Sequence, residues 1–146
     1  MPDINVTVTN AAAVNVQMLG SGPPGPAGPA GGSTVAYPAG EALSSGRVVI
    51  IDGGEAFYFQ PATAAHAGRA FGVTTSSAIA GNNVTIQIGG EITDGGISAT
   101  ADAVAWVGAN GQITSAAPAS GLLQQAGVGI TATKIKIQFN SLIIQN

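Results

Sequence analysis

The 146-residue sequence predicts an all-β protein: a small β-barrel or sandwich body, preceded by an extended N-terminal β arm and a short collagen-like polyproline II segment. Three observations predict it. Short runs of β-branched and aromatic residues alternate with polar ones, and no stretch holds a helical period for more than two turns. Gly, Asn and Asp pairs fall between these runs, where hairpins require them. Glycine recurs at every third position from Gly22 to Gly31, and proline follows it in the first three triplets.

The arm covers residues 1–21. Ile4, Val6 and Val8 alternate with Asn5, Thr7 and Thr9, and the pattern resumes with Val14, Val16 and Met18 against Asn15 and Gln17. Such a segment has one apolar face. Two short strands alone are marginal in water, so the arm is expected either to pair with another chain or with the body, or to be a flexible tail ordered by contacts. Ile4, Val6, Val8, Val14 and Val16 are the expected anchoring residues.

Residues 22–33 read Gly22-Pro23-Pro24, Gly25-Pro26-Ala27, Gly28-Pro29-Ala30, Gly31-Gly32-Ser33. Three polyproline II chains wound together leave room only for hydrogen at their axis, which forces glycine into every third position and implies a parallel trimer. Three Gly-Pro-X triplets are too few to hold a triple helix unaided. The alternative is a stiff spacer of about 3.1 Å per residue. Either way the segment separates an anchor from a head.

Residues 34–146 form the body. Arg47 to Asp52 reads as a strand, Asp52-Gly53-Gly54 as a turn and Glu55 to Gln60 as the returning strand, with Phe57 and Phe59 on one side. Pro61 to Arg69 holds one short helical turn closed by Gly68, and Ala70 to Thr75 starts another strand. Val84, Ile86 and Ile88 alternate after the turn Gly81-Asn82-Asn83, and Asp94-Gly95-Gly96 forms a further turn. Ala103 to Val107 carries the single tryptophan, Trp106, and the Asn110-Gly111 pair that follows favours a tight type I′ hairpin. Val128 to Thr131, Lys134 to Phe139 and Leu142 to Gln145 complete the strands. An internal echo relates Phe71-Gly72-Val73-Thr74 and Val84 to Ile88 with Val128-Gly129-Ile130-Thr131 and Lys134 to Phe139, pairing two hairpin-like units in one fold.

Composition narrows the function. A body of roughly 110 residues can bury about two-thirds of its unfolded surface, enough for a modest core. Charged residues make up only 8% of the chain, which suits a protein that hides surface against partners. The net charge is -3, and four basic residues, Arg47, Arg69, Lys134 and Lys136, are too few to neutralise many phosphates, so nucleic acid is not an expected partner. The absence of cysteine excludes disulfides and thiolate chemistry. No apolar run reaches membrane-spanning length, Met1-Pro2-Asp3 lacks the features of a secretory leader, and the positive mean hydropathy reflects alanine. Folding in the cytoplasm is expected.

Groups that could carry catalysis are sparse. His66 is the only histidine and stands among Ala64, Ala65, Ala67 and Gly68, without a neighbouring carboxylate or nucleophile; a structural or interface role is expected. No Gly-x-Ser-x-Gly elbow occurs. Of the seven acids, the pairs Asp52 with Glu55 and Glu91 with Asp94 are of the kind that contributes to a calcium site or a glycosidase pair, but neither spacing matches a known metal loop, and turn and surface acids are expected. The glycines punctuate strands and form no phosphate loop. No enzyme activity, metal or cofactor is expected. Tyr37, Tyr58 and Trp106 are the candidate aromatics for stacking on a sugar.

The stretch Phe59 to Thr74, containing Pro61-Ala62, Ala65-His66-Ala67-Gly68-Arg69 and Gly72-Val73-Thr74, resembles a pattern of tailed-phage virion proteins. So does Gly121-Leu122-Leu123-Gln124-Gln125-Ala126-Gly127-Val128-Gly129-Ile130, with Leu122 where the pattern has phenylalanine. Together with the Gly-Pro segment, these motifs make the chain similar to capsid decoration (cement) and head-fibre proteins. The resemblance implies a non-enzymatic homotrimer on the outside of the virion, assembled in the host cytoplasm and bound to the major capsid protein, with no catalytic residues. The alternative is a tail or head fibre tip that binds host-surface glycans.

Overall fold

The computed structural model describes residues 32–140 and 143–145. The arm with Ile4, Val6, Val8, Val14 and Val16, and the residues Gly22, Pro23, Pro24, Gly25, Pro26, Gly28, Pro29 and Gly31 of the Gly-Pro segment, lie outside the described residues.

The body is all-β, as the alternation predicts. Its strands are β1 (Thr34–Pro38), β2 (Val48–Asp52), β3 (Glu55–Tyr58), β4 (Gly72–Thr74), β5 (Asn83–Gln87), β6 (Glu91–Thr93), β7 (Val104–Val107), β8 (Ile113–Thr114), β9 (Gly121–Leu123), β10 (Gln125–Thr131), β11 (Lys134–Ile137) and β12 (Ile143–Gln145). The helical turn expected between Pro61 and Arg69 is a 3-10 turn, Ala64–His66.

Two hairpins form where the turn residues place them. β2 and β3 are joined through Gly53 and Gly54 at φ 58° and 86°. In the second, Asn110 and Gly111 both take positive φ, 53° and 65°, and the Gln112 N–H donates to the Ala109 carbonyl, which is the type I′ geometry that matches the twist of its strands. Phe57 lies opposite Ile50 and packs on the same core cluster as the fully buried Phe59. The alternation of Val84 and Ile86 inside β5 ends at Ile88, which is exposed.

The first sheet has the order β1-β5-β4-β2-β3 and the second β6-β11-β10-β7-β8, all antiparallel; β9 and β12 pair separately. Read along the chain, both five-stranded sheets therefore follow one plan: first, fifth, fourth, second, third. The registers correspond as well. Val48 faces Val73 in the first sheet as Val104 faces Val128 in the second, and Val35 faces Ile86 as Ile92 faces Ile135. In each, the segment after the first strand curls round to bridge the third in parallel, Ala39 to Ala56 and Ser98 to Thr114.

The body is thus a tandem of two modules of one topology. The internal echo is real, but its register slides by two residues: Gly127-Val128, and not Gly129-Ile130, is the counterpart of Gly72-Val73. A strand's own period of two makes that slip invisible in sequence. The two glycines share a cause. A Cβ on Gly72 would meet the Gln87 carbonyl at 2.7 Å, and one on Gly127 would collide with the carbonyl of Lys136, the corresponding residue.

Two clusters form the core. Ala39, Leu43, Val49, Ala56, Val84 and Ile86 fill the interior of the first module, with Tyr37, Phe71 and Tyr58 around them. The larger cluster joins the interior of the second module (Ile92, Ile97, Ala105, Val107, Ile113, Ala126, Ile135, Ile137) to the outward face of the first sheet (Val48, Ile50, Val73) and to Phe59. The first sheet is consequently apolar on both faces, which is why Val48-Val49-Ile50-Ile51 is a continuous run and not an alternation. The β7–β8 turn presses on this seam: Gly111 donates to the Phe59 carbonyl at 2.8 Å, and Arg47 bridges Gln112.

Candidate functional site

The β2–β3 hairpin, the segment following β1 and the 3-10 turn enclose a cleft of about 340 Å³ lined by Glu41, Asp52, Phe57, Tyr58, Gln60 and His66 among others. This is the one place where the sequence-predicted histidine, an acid and an aromatic come together. The 3-10 turn positions His66 so that its Nδ1 accepts the Gln60 N–H at 2.9 Å, and its ring lies 5.9 Å from that of Phe59. Burial, then the nearby Arg69 charge, hold the His66 pKa below the ordinary 6.5, against the opposing pull of Asp52 and Glu41. The imidazole is therefore neutral at pH 7, with Nδ1 already occupied as an acceptor.

The acids of the cleft are engaged in the fold. Asp52 pairs with Arg69 at 2.8 Å, and the same guanidinium donates to the Ile51 carbonyl. Glu41 accepts the Tyr58 N–H at 2.9 Å. The Tyr58 hydroxyl accepts the Ser44 N–H at 2.7 Å, and Arg47 sits 5.7 Å from the centre of its ring. Among the described residues no hydroxyl bonds to the His66 ring, so the cleft offers polar contacts without an assembled nucleophile and base.

The remaining candidates are dispersed. Glu55 stands exposed at the tip of the first hairpin, Glu91 pairs with Lys134 at 3.0 Å, and an Asp94 carboxylate oxygen accepts the Gly96 N–H at 2.7 Å, closing its own turn. Among the described residues no three His, Asp or Glu side chains are grouped to hold a metal. Tyr37 meets Phe71 edge-on with ring centres 5.6 Å apart. Trp106 is half-buried on the outward face of the second sheet, between Thr114 and Gln125.

That outward face was not legible in the sequence. Val104, 37% exposed, lies opposite Val128, and Ile130 beyond it is also 37% exposed. Lys136, exposed, stands opposite Val128 on the other side. The alternation Val104-Ala105-Trp106-Val107 announces two unlike faces without saying which is inward. Ala105 and Val107 are the buried pair, and Val104 and Trp106 point outward.

No protein-family profile and no curated protein matches the chain. Among the described residues no helix is long and apolar enough to cross a membrane.

Proposed function

We propose that this chain is a non-enzymatic structural protein of a tailed-phage particle, a homotrimeric decoration or head-fibre subunit that binds the major capsid protein on the capsid exterior and stabilises the shell. The observation that carries the reading is the order of its parts: an apolar-faced arm, a Gly-Pro-X segment whose spacing suits three parallel chains, and an all-β body. The cleft residues support it, because His66, Asp52, Glu41 and Tyr58 each hold a neighbouring backbone or side chain in place. Stabilising a shell requires only that binding be shared over many copies.

Cryo-electron microscopy of purified particles tests the proposal. Trimers at three-fold or quasi-three-fold capsid positions, with residues 1–21 against the shell, are the expected result; density on the tail alone would replace it with the glycan-binding fibre tip. Serine at Ile4, Val6 and Val8 together should abolish incorporation while leaving the body folded, and unchanged occupancy would remove the anchoring role from the arm.

A further inference from the structure

The place where the Gly-Pro segment enters the body decides which surface of the body meets its copies. Gly31 is the last glycine of the repeat, and in three wound chains each such glycine sits against the common axis. Gly32 is one peptide further on, about 3.8 Å between Cα atoms. Its φ is 72°, opposite in sign to the roughly −75° of polyproline II, so such winding cannot extend past Gly31. In a trimer wound through the repeat, the corner of the body that receives Gly32 therefore lies beside the axis in every copy.

That corner is firmly built. A Cβ on Gly32 would stand 2.6 Å from the Gly89 carbonyl oxygen, so the two backbones touch, and the Ile88 N–H donates to the Ser33 carbonyl at 3.0 Å. The side-chain amide of Gln87, a residue only 5% exposed, donates to the Gly89 and Glu91 carbonyls, both at 2.8 Å. A buried glutamine thus ties down the link between the modules where the segment arrives.

Its surface suits contact with itself. Ile88 is 41% exposed, and of the exposed large aliphatic side chains among the described residues it is the one bonded through its backbone to Ser33, next to Gly32. Ser33, Thr34, Ile88, Gly89 and Gly90 carry no charge, and the adjoining Glu91 is paired with Lys134. About a three-fold axis each side chain faces its own kind, so a charge there would be repelled by its copies, whereas an isoleucine is not. We propose that Ile88 of three copies packs together at the foot of the Gly-Pro segment, the bodies meeting through their Ser33–Ile88–Gly89 corners. Three triplets cannot hold a triple helix unaided, and this contact supplies the trimeric structure they need on the body side. The contact rests on the trimeric reading proposed above.

The test uses the full chain, which contains no cysteine, so Ile88→Cys places a single thiol per copy at the proposed axis. Ile79→Cys is the control: Ile79 is 67% exposed and lies beyond the other end of the β1–β5 ladder, near Asn82. Treated with a short bis-maleimide, Ile88→Cys trimers should give crosslinked dimers on a denaturing gel and no trimer band, because each reagent joins two thiols and leaves the third chain over. Ile79→Cys should stay monomeric on the same gel. Ile88→Asp, which brings three carboxylates together, should weaken association in sedimentation velocity by about tenfold or more. A trimer that Ile88→Cys does not crosslink, or that Ile88→Asp leaves equally tight, overturns the axial corner and leaves the trimeric reading standing. Equal crosslinking of the two cysteine variants reports random collision and overturns it likewise. A chain that is monomeric at every concentration overturns both readings.

Discussion

The two modules share one backbone plan and differ in what covers them. At corresponding strand positions, Val48 is fully buried and Val104 is 37% exposed, although both are valines in the second strand of their sheets, facing another valine across the ladder. Position in the tandem, not strand propensity, sets their burial. The interiors differ as well: the first module is filled from within by Leu43 and ringed by Tyr37, Phe71 and Tyr58, whereas the second shares its core with the neighbouring sheet. A repeated topology thus fixes hydrogen-bonding order and leaves the stability of each face to its neighbours.

The contrast can be broken most forcefully at the seam. Phe59→Ala removes a fully buried ring shared by both modules and should cost about 3–5 kcal/mol in denaturant unfolding. A loss below about 1 kcal/mol would mean that the modules do not depend on that contact. The valine pair sharpens the comparison directly. Val48→Ala should cost about 2 kcal/mol and Val104→Ala less than about 0.5 kcal/mol in the dissociated chain. Equal losses would contradict the difference in covering.

Thr74 probes a polar asymmetry, because its position in the second module is held by Gly129. The buried Thr74 hydroxyl donates to the Ser44 carbonyl at 2.7 Å and accepts the Arg47 N–H at 3.0 Å. Thr74→Val should therefore lower unfolding stability by about 1–2 kcal/mol; a neutral result would place those bonds among the dispensable ones.

The smallest effect is expected at His66. Because its folded pKa lies below the ordinary 6.5, the unfolded chain takes up the proton more readily; this contribution to stability is intact above that pH and is lost as pH falls through it toward the folded value. The melting temperature should accordingly drop slightly from pH 7 to 5, and His66→Gln should flatten that slope. An unchanged slope in the variant would assign the pH dependence to other groups.

What was legible in the sequence was local. Asp52-Gly53-Gly54 and Asn110-Gly111 fix their hairpins through backbone conformations that few other residues adopt, and the alternation marks Ile135 and Ile137 in β11 and Val84 and Ile86 in β5 as buried, while it misses the buried Gln87 and places the exposed Ile88 inside. Strand order was not legible, because Val48 meets Val73, and Ile92 meets Ile135, only after long intervening segments. β9 escaped notice for a related reason: Gly121-Leu122-Leu123 has no alternation, and Leu122 and Leu123 are both buried. In the cleft, His66 could be located from its own short turn, but its neutrality depends on burial, and the ion pair between Arg69 and Asp52 depends on the hairpin folding back.

The curling of each sheet has a consequence for behaviour in solution. A chain with only 8% charged residues has little electrostatic repulsion to keep its copies apart at high concentration. Edge strands ordinarily add to that hazard, since a row of unpaired backbone groups recruits any passing strand into aggregates. Here the edge strands of the second module are short, three and two residues, and in both modules a bridge, Ala39–Ala56 or Ser98–Thr114, draws the two edges of the sheet together. Protection of the strand edges is thereby supplied by the course of the backbone and not by surface charge.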